Sequence, residues 1–432
     1  MLSEPSFRKG IQMLKAAEAE LYSIWQDIDE IVLYNQEKVL SAFQSQRIGA
    51  HHFQQTTGYG YNDPGREALE SLFAKVFGGE AALVRQQFAS GTHAITCCLR
   101  GVLRPGDELI FGSGLPYDTL QSVLGINADP PVGHLGEYGI TTKVIPLRDD
   151  GGIDLEAIVG AISSRTRMIA FQRSCGYAIR PSLSIKVLEE TFRGLRKYLQ
   201  DNTVIFVDNC YGEFVEEKEP LEVGADLIAG SLIKNPGGGL APAGGYVVGK
   251  AEFVEMVAAA LFAPGIGLEV GASLANPRPF FQGLFEAPAR VGEMLKSVTL
   301  WAEIFRRQGF KVSPLPTEKR TDTIQRIEFL TPERLSTFCQ ILQASSPVDS
   351  HVTPIAAHMP GYDHPVIMAA GTFISGATSE LSVDAPFIPP YRAYLQGGLT
   401  LAQTKIAVLH LLEKWRKKQE NFDREQESHA EQ

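Results

Sequence analysis

The chain has 432 residues, of which 44% are hydrophobic and 21% are charged, and its formal net charge is −10. A chain of this length can bury a large core and divide into more than one domain. The negative charge, without a basic stripe interleaved with aromatic residues, argues against a nucleic-acid partner.

The first 57 residues carry apolar side chains at helical spacing and few turn signals, which predicts helices ahead of the main domain. From about residue 64, helical segments alternate with short apolar runs. The pattern predicts helices near 66–77 and from Ser90, and strands at 81–85, 108–112, 143–146, 168–172, 204–207 and 227–229. Such alternation is typical of an α/β protein with a mostly parallel, doubly wound sheet.

A second set of strand signals, at 322–329 and 366–374, follows a long helical segment that starts after about residue 285. It predicts a smaller α+β domain at the C-terminal side. We therefore expect an N-terminal helical segment at 1–57, a large domain at 58–285, a small domain at 286–415 and a tail at 416–432. The tail is highly charged and is expected to be disordered.

Lys234 lies between a polar segment and the glycine-rich run 237–239, and Asp208 ends the apolar run 205–207. A lysine amine can become neutral when it is desolvated, which suits Schiff-base chemistry. An ionised carboxylate can hold a proton on a pyridine nitrogen. The order of strand, acid and lysine is therefore that of a pyridoxal phosphate site, in which Tyr211 could hydrogen-bond the ring hydroxyl oxygen. Alternatively, Asp208 caps a strand and Lys234 is a solvated lysine.

Ser90-Gly91-Thr92 follows a predicted strand and opens a predicted helix. Backbone amides and the helix dipole favour an anion there, so the segment is a candidate phosphate site. An ordinary helix N-cap would have the same residues. The chain has no Gly-Lys-Ser/Thr ending of a P-loop and no strand-linked Gly-x-Gly-x-x-Gly, which argues against adenine and nicotinamide nucleotides.

Two further residues fit the same ligand. Tyr117 follows a predicted strand end and could stack on the face of the cofactor, or it could be a core aromatic residue. Ser231 precedes Lys234 by three positions and could donate to the phosphate, or it could be a turn residue.

This set of residues resembles the fold-type I pyridoxal phosphate enzymes of the cystathionine lyase and methionine gamma-lyase group. Four further segments are similar to the branch named methionine gamma-lyase family or aluminium resistance protein: 58–66, 172–177, 212–216 and 396–400. The resemblance spans nearly the whole chain. It implies a fold-type I transferase-like architecture and pyridoxal 5'-phosphate as the cofactor.

The resemblance also implies roles. Lys234 would bind the cofactor as a Schiff base and shuttle the α proton, Asp208 would hold the pyridinium, and Tyr117 would stack on the ring. The residues that would hold the phosphate are Ser90, Gly91, Thr92 and Ser231.

In cystathionine-type lyases, a tyrosine and an arginine from a neighbouring subunit complete the phosphate site. Tyr59 or Tyr61 stands in the matching region here, but the arginine two positions past the tyrosine is missing. A homodimer or homotetramer with active sites at the subunit interface is implied. The amino acid carboxylate would be held by an arginine, because a planar guanidinium binds it in two places. The candidates are Arg392, Arg173 and Arg180, each of which could instead form a structural ion pair.

The predicted function is that of a carbon-sulfur lyase, which removes the α proton of a sulfur-containing amino acid and eliminates the sulfur group. The Asp-x-x-Tyr spacing of Asp208 and Tyr211 keeps an aminotransferase open. A non-catalytic protein that binds pyridoxal phosphate and is linked to metal tolerance is a third possibility. The five cysteines lack paired metal-ligand spacing, so no metal site is expected. Without a signal peptide or an apolar span, the sequence predicts a cytoplasmic protein.

Overall fold

The computed structural model describes residues 7–274, 276–359 and 362–430 of the chain. The helices of eight or more residues are α1 (Arg8–Ser45), α2 (Pro64–Phe77), α3 (Gly91–Val102), α6 (Ile185–Leu195), α7 (Ala251–Leu261), α8 (Arg278–Arg307), α9 (Pro332–Ala344) and α10 (Leu401–Ala430). Two shorter helices are α4 (Asp118–Leu124) and α5 (Leu155–Ala161). Within the described ranges, no helix is both long and apolar enough to cross a lipid bilayer.

Seven strands form the first sheet: β1 (Ala81–Arg85), β2 (Glu108–Phe111), β3 (Thr141–Val144), β4 (Thr166–Gln172), β5 (Val204–Asp208), β6 (Leu227–Ser231) and β7 (Gly245–Gly249). Their order is β1-β7-β6-β5-β4-β2-β3. Strands β3, β2, β4, β5 and β6 pair in parallel, and β7 is antiparallel to both of its neighbours. The predicted mostly parallel sheet is confirmed.

Helices cover both faces of this sheet. On one face, apolar side chains of α3 and α7 are buried in a cluster with alternate residues of the strands. On the other face, α6 packs through Phe192, whose ring centroid lies 5.5 Å from that of Phe171 in β4. Burial on both faces explains why the central strands are continuous apolar runs.

Strand β7 was not predicted, because its apolar run is short and lies between two glycines. A Cβ atom at Gly245 would lie 3.0 Å from Ala94 Cβ and 3.1 Å from Gly230 O. The glycines therefore mark close approach of neighbouring elements and not the turns that such residues suggest in a sequence.

Five strands form a second, antiparallel sheet in the order β10-β11-β12-β9-β8. They are β8 (Lys311–Ser313), β9 (Ile324–Glu328), β10 (Val366–Ala369), β11 (Ser382–Pro386) and β12 (Arg392–Gln396). The sequence pattern predicted β9 and β10, and it extended β10 too far. It did not predict β8, β11 and β12, which are short and carry polar residues or proline.

The chain forms two compact units. The large unit comprises residues Glu30–Val291 and Arg320–Thr323, and the small unit comprises the chain up to Asp29, Gly292–Lys319 and the chain from Ile324 onwards. These divisions differ from the expected boundaries at 57/58 and 285/286. The reason is that α1 and α8 each make contacts in one unit at one end and in the other unit at the other end.

The two ends of α1 show this division. Leu14 and Leu21 are buried in a cluster with Trp301 of the small unit, whereas the Phe43 ring lies 6.4 Å from the ring of Phe281 in the large unit. At the other end of the chain, the backbone of the predicted tail continues α10 to Ala430. Residues 431 and 432 lie outside the described residues, and the disorder of the tail stays a prediction.

Candidate active site

The candidate residues gather where three neighbouring parallel strands end. Gln172 is the last residue of β4 and pairs with Asp208, the last residue of β5, while Ser231 is the last residue of β6. The carboxyl ends of parallel strands lie at the same edge of a sheet, and ligands of α/β proteins bind in the crevice outside that edge.

Asp208 is buried at this edge, with 4% of its surface exposed. Its Oδ1 atom accepts a hydrogen bond of 3.1 Å from the backbone N–H of Cys210. Burial raises the pKa of the Asp208 carboxyl, and the nearby Lys234 opposes that increase. A buried carboxylate in this position is stabilised by a nearby cation. The sequence predicted that this cation is the pyridinium of the cofactor.

Lys234 follows β6 and precedes a short 3-10 turn, Asn235–Gly237. Its Nζ atom lies 4.0 Å from the centroid of the Tyr211 ring, so the predicted lysine and tyrosine are in contact. Burial lowers the pKa of the Lys234 amine. The surrounding Cys210, Tyr211, Asp208 and Tyr117 side chains raise it, and the pKa stands well above its usual value. The amine of the free chain is therefore protonated at neutral pH.

Helix α3 begins beside the same edge. Ser90 caps it, and the Ser90 Oγ atom accepts a hydrogen bond of 3.1 Å from the backbone N–H of His93. A Cβ atom at Gly91 would lie 3.1 Å from Ser231 Cβ and 3.7 Å from Cys210 Sγ. The absence of a side chain at Gly91 thus brings the helix N-terminus close to Ser231, which forms a cradle where an anion is favoured.

Tyr117 joins this group through its hydroxyl. The Tyr117 hydroxyl and Thr92 Oγ1 are 3.1 Å apart, and the Tyr117 backbone N–H donates a bond of 3.1 Å to Gln172 Oε1. Burial raises the pKa of the Tyr117 hydroxyl, so that it keeps its proton at neutral pH. Gln172 was not predicted as a site residue, although a polar residue at the end of a buried apolar run was a usable signal.

Tyr59 and Tyr61 are exposed, with 72% and 52% of their surfaces accessible. Their ring centroids are 5.6 Å apart, and the Tyr59 carbonyl accepts a bond of 3.0 Å from the backbone N–H of Gly271. These contacts do not join them to Lys234 of the same chain. Their expected role in the phosphate site of a neighbouring subunit stays a prediction.

Arg173 has no exposed surface and takes part in a buried polar network. Its Nη1 atom donates to Asn209 Oδ1 at 2.8 Å and to Glu219 at 3.4 Å, and its Nη2 atom donates to Glu216 at 3.0 Å. These contacts favour a structural role for Arg173 over the predicted role in substrate binding. The network holds Asn209 and therefore the loop that follows Asp208, a function that the sequence did not reveal.

The other two candidate arginines also have protein partners. Arg180 Nη2 donates to the carbonyl oxygens of Gln172 and Ser174 at 2.8 Å and 2.5 Å, and burial lowers the pKa of Arg180. Arg392 lies in the small unit, where its Nε atom donates to Glu328 Oε2 at 3.2 Å. Which arginine binds a substrate carboxylate stays a prediction.

The family model described as Methionine gamma-lyase matches residues 10–416 of the chain. The chain belongs to the methionine gamma-lyase family. The predicted family is thus confirmed over most of the chain, and so is the predicted cofactor, because this family uses pyridoxal 5'-phosphate.

Three of the proteins that are similar to this chain come from Bacillus subtilis, Clostridium novyi NT and Pseudomonas putida. An uncharacterized protein of Bacillus subtilis is 49% identical over 402 residues, which cover 93% of this chain and 95% of that protein. A crystal structure from Clostridium novyi NT, described as a carbon-sulfur lyase involved in aluminum resistance, has a TM-score of 0.89 at 43% identity and covers 94% of this chain and 95% of that chain. The L-methionine gamma-lyase of Pseudomonas putida is 30% identical over 196 residues, which cover 45% of this chain and 43% of that enzyme.

The residues at the sheet edge fit the family's cofactor. An amine, a buried carboxylate and an aromatic hydroxyl are present at Lys234, Asp208 and Tyr117, and the cradle that a Cβ at Gly91 would fill lies at a helix N-terminus. Such a donor set suits an aldehyde, a pyridine nitrogen and a phosphate group. Together with the family, it indicates a lyase that depends on pyridoxal phosphate.

Proposed function

We propose that the chain is a pyridoxal phosphate-dependent carbon-sulfur lyase that removes the α proton of a sulfur-containing amino acid and eliminates the sulfur group. The observation that carries the proposal is the convergence of Lys234, Asp208 and the N-terminus of α3 at one sheet edge. The Clostridium novyi relative, described as a carbon-sulfur lyase, supports the proposed reaction class.

Each residue has a proposed task. The bound cofactor supplies an electron sink for charge that develops at the substrate α carbon. Lys234 would hold the cofactor through its amine and, as a neutral amine, would take up the α proton; its Nζ atom lies 4.0 Å from the centroid of the Tyr211 ring. Asp208 holds positive charge at the ring nitrogen, because a buried carboxylate is stable only beside a cation. The Tyr117 hydroxyl keeps its proton and hydrogen-bonds Thr92, and this contact fixes the Tyr117 ring that would stack on the cofactor.

The proposed assembly is a homodimer or homotetramer with active sites at the subunit interface. Support comes from Tyr59 and Tyr61, two exposed aromatic rings in the region where related lyases reach a neighbouring subunit. Large exposed aromatic side chains in contact with each other are typical of a protein interface.

The proposed reaction is tested with purified protein that is loaded with pyridoxal phosphate and supplied with sulfur-containing amino acids one at a time. We expect a ketoacid and a sulfur product in equal amounts, and their loss in Lys234→Ala. Borohydride should attach the cofactor to the Lys234 peptide of the wild type, as seen by mass spectrometry.

The exposed Lys186 in α6 provides a matched control, because Lys186→Ala removes an amine without touching the site. It should keep the wild-type rate. Formation of pyridoxamine phosphate without a sulfur product would instead indicate an aminotransferase. Full activity of Lys234→Ala would contradict the proposal.

A further inference from the structure

Glu213 is a fully buried acid in the loop that follows β5, close to the turn that carries Lys234. Its backbone carbonyl accepts a hydrogen bond of 3.0 Å from Asn235 Nδ2, and Asn235 is the next residue after Lys234. Asn235 also has no exposed surface. The contact therefore joins the loop of Asp208 to the turn of Lys234.

In the described part of the chain, one other residue hydrogen-bonds the carboxyl group of Glu213, which also has its own backbone N–H nearby. Its Oε1 atom accepts a bond of 2.7 Å from the Tyr246 hydroxyl, and its Oε2 atom has none. Asn235 Oδ1 is likewise a buried acceptor for which the described residues supply no donor. Two buried acceptors without donors on two residues in contact are unfavourable, because each one loses its hydrogen bonds to water.

A proton on Glu213 resolves this arrangement. An ionised carboxylate only accepts hydrogen bonds, whereas a protonated carboxyl also donates one O–H. Among the described residues, no salt bridge joins Glu213 to a cation, and an ionised carboxylate that is buried without one is strongly disfavoured. The proton removes that cost and turns Oε2 from a buried acceptor without a donor into a donor.

We propose that Glu213 is a positioning residue for Lys234, which keeps a proton on Oε2 at neutral pH and, through Asn235, fixes the turn that carries the lysine. The inference deepens the proposed function and rests on Lys234 as the cofactor lysine. It also explains why a second acid beside Lys234 does not compete with Asp208: a protonated Glu213 adds no charge to the site.

The groups around Glu213 agree with this assignment. Tyr246 faces it from β7, Lys234 from the turn after β6, and Glu219 and Cys210 from its own loop. The pKa of Glu213 is raised to about 8, because burial and the nearby Glu219 raise it by more than the Tyr246 hydroxyl, its own backbone N–H and Lys234 lower it. Of these neighbours, only Lys234 carries a positive charge, and Asp208 balances that charge.

The first test is infrared spectroscopy of the cofactor-loaded protein beside Glu213→Gln, at a pH well below 8. Glutamine has nearly the shape of a protonated glutamate, with an acceptor oxygen and an NH2 donor group in place of the O–H. We expect the C=O stretch of a protonated carboxyl in the wild type and its loss in Glu213→Gln. In Tyr246→Phe the band should persist at a shifted frequency, because the acid remains and one hydrogen bond is lost.

The second test is the pH titration of the visible band of the loaded protein. If Glu213 is neutral, Glu213→Gln should leave the midpoint of this titration unchanged below pH 8. The same variant should also keep the cofactor bound. Glu213→Leu, which removes donor and acceptor together, should bind the cofactor about tenfold more weakly. Absence of the carboxyl band, or a midpoint that falls by about one pH unit in Glu213→Gln, would show an ionised glutamate and overturn the proposal.

These readouts separate the inference from the proposed function. The infrared band reports the proton of Glu213 whether or not the protein cleaves a carbon-sulfur bond. Failure of Lys234 as the cofactor lysine would instead appear as an unlabelled Lys234 peptide after borohydride reduction, with the Glu213 band unchanged.

Discussion

Asp208 and Glu213 are two buried acids within one loop, and their contacts differ. Asp208 accepts a backbone N–H and is stabilised by the charge of Lys234. Glu213 accepts one tyrosine hydroxyl and leaves its other oxygen without a partner in the described residues. Burial raises both pKa values; the charge of Lys234 is the main opposing influence at Asp208, whereas at Glu213 it is the Tyr246 hydroxyl.

Replacing Asp208 by asparagine tests the role of its charge. Asp208→Asn keeps the size of the side chain and removes the negative charge, so we expect the rate of sulfur release to fall by about 100-fold or more. Asp226→Asn is a control at the opposite end of β6, because Asp226 is a buried acid that binds Lys250 at 2.8 Å. That variant should lose stability and keep its rate when folded. Equal rates for wild type and Asp208→Asn would contradict the assignment.

The proton of Glu213 also predicts how stability depends on pH. The pKa is about 8 in the folded chain against a usual value of 4.5, so the folded state binds the proton over the range in which the unfolded state has lost it. Stability that comes from this group is therefore fully present below pH 4.5 and falls as the pH rises towards 8, by at most about 1.4 kcal/mol per pH unit.

Glu213→Gln does not titrate and should lack this decline. Denaturant unfolding of the wild type and the variant across that pH range should show the stability of the variant rising relative to the wild type. Parallel pH profiles of the wild type and the variant would mean that Glu213 has the same pKa in the folded and the unfolded state.

At the scale of elements, the turn of Lys234 packs backbone to backbone against α8 within the large unit. Gly238 has a φ of +57°, and a Cβ atom at Gly283 would fall well inside contact distance of the Gly237 carbonyl. The glycine-rich run after Lys234 thus serves close packing as well as the left-handed backbone of a turn. Any side chain at Gly283 would push on the segment that positions the lysine.

Gly283→Ala should therefore displace this turn. We expect a loss of about 1–3 kcal/mol in the free energy of unfolding from overpacking, and weaker retention of pyridoxal phosphate. Gly160→Ala in α5 is the matched control, since a Cβ atom there meets open space. It should stabilise the chain slightly, because alanine favours helix more than glycine does. Unfolding curves and the visible band of the loaded protein measure both effects, and equal behaviour of the two variants would refute the packing argument.

At the scale of the whole molecule, the proposed oligomer makes the active site a shared property of two chains. If Tyr59 and Tyr61 complete the site of a neighbouring subunit, two variants should each be inactive alone. One is the double variant Tyr59→Ala/Tyr61→Ala, and the other is the single variant Lys234→Ala. Mixing them after dissociation and reassembly should restore part of the activity, because each hybrid pair contains one site with all of its residues intact.

Light scattering of the mixed sample should give a mass of at least two chains. The single-variant samples, reassembled alone, are the controls. No recovery in a mixture that forms hybrids would place the tyrosines outside the partner's site, and a monomer with full activity would exclude the shared site.

Local patterns in the sequence predicted the parts of this protein that depend on local chemistry. Continuous apolar runs indicated the central strands, and Lys234, Asp208 and Ser90-Gly91-Thr92 indicated a cofactor site, because parallel strand ends meet at one edge of a sheet. Other features depend on contacts between residues far apart in the chain. Strand β7, the engagement of Arg173 by Glu216 and Glu219, the division of α1 between two units, and the acceptor left open on Glu213 all required the three-dimensional structure. Burial and pairing decide the charge of an acid, and no spacing of residues encodes which neighbour will be within reach.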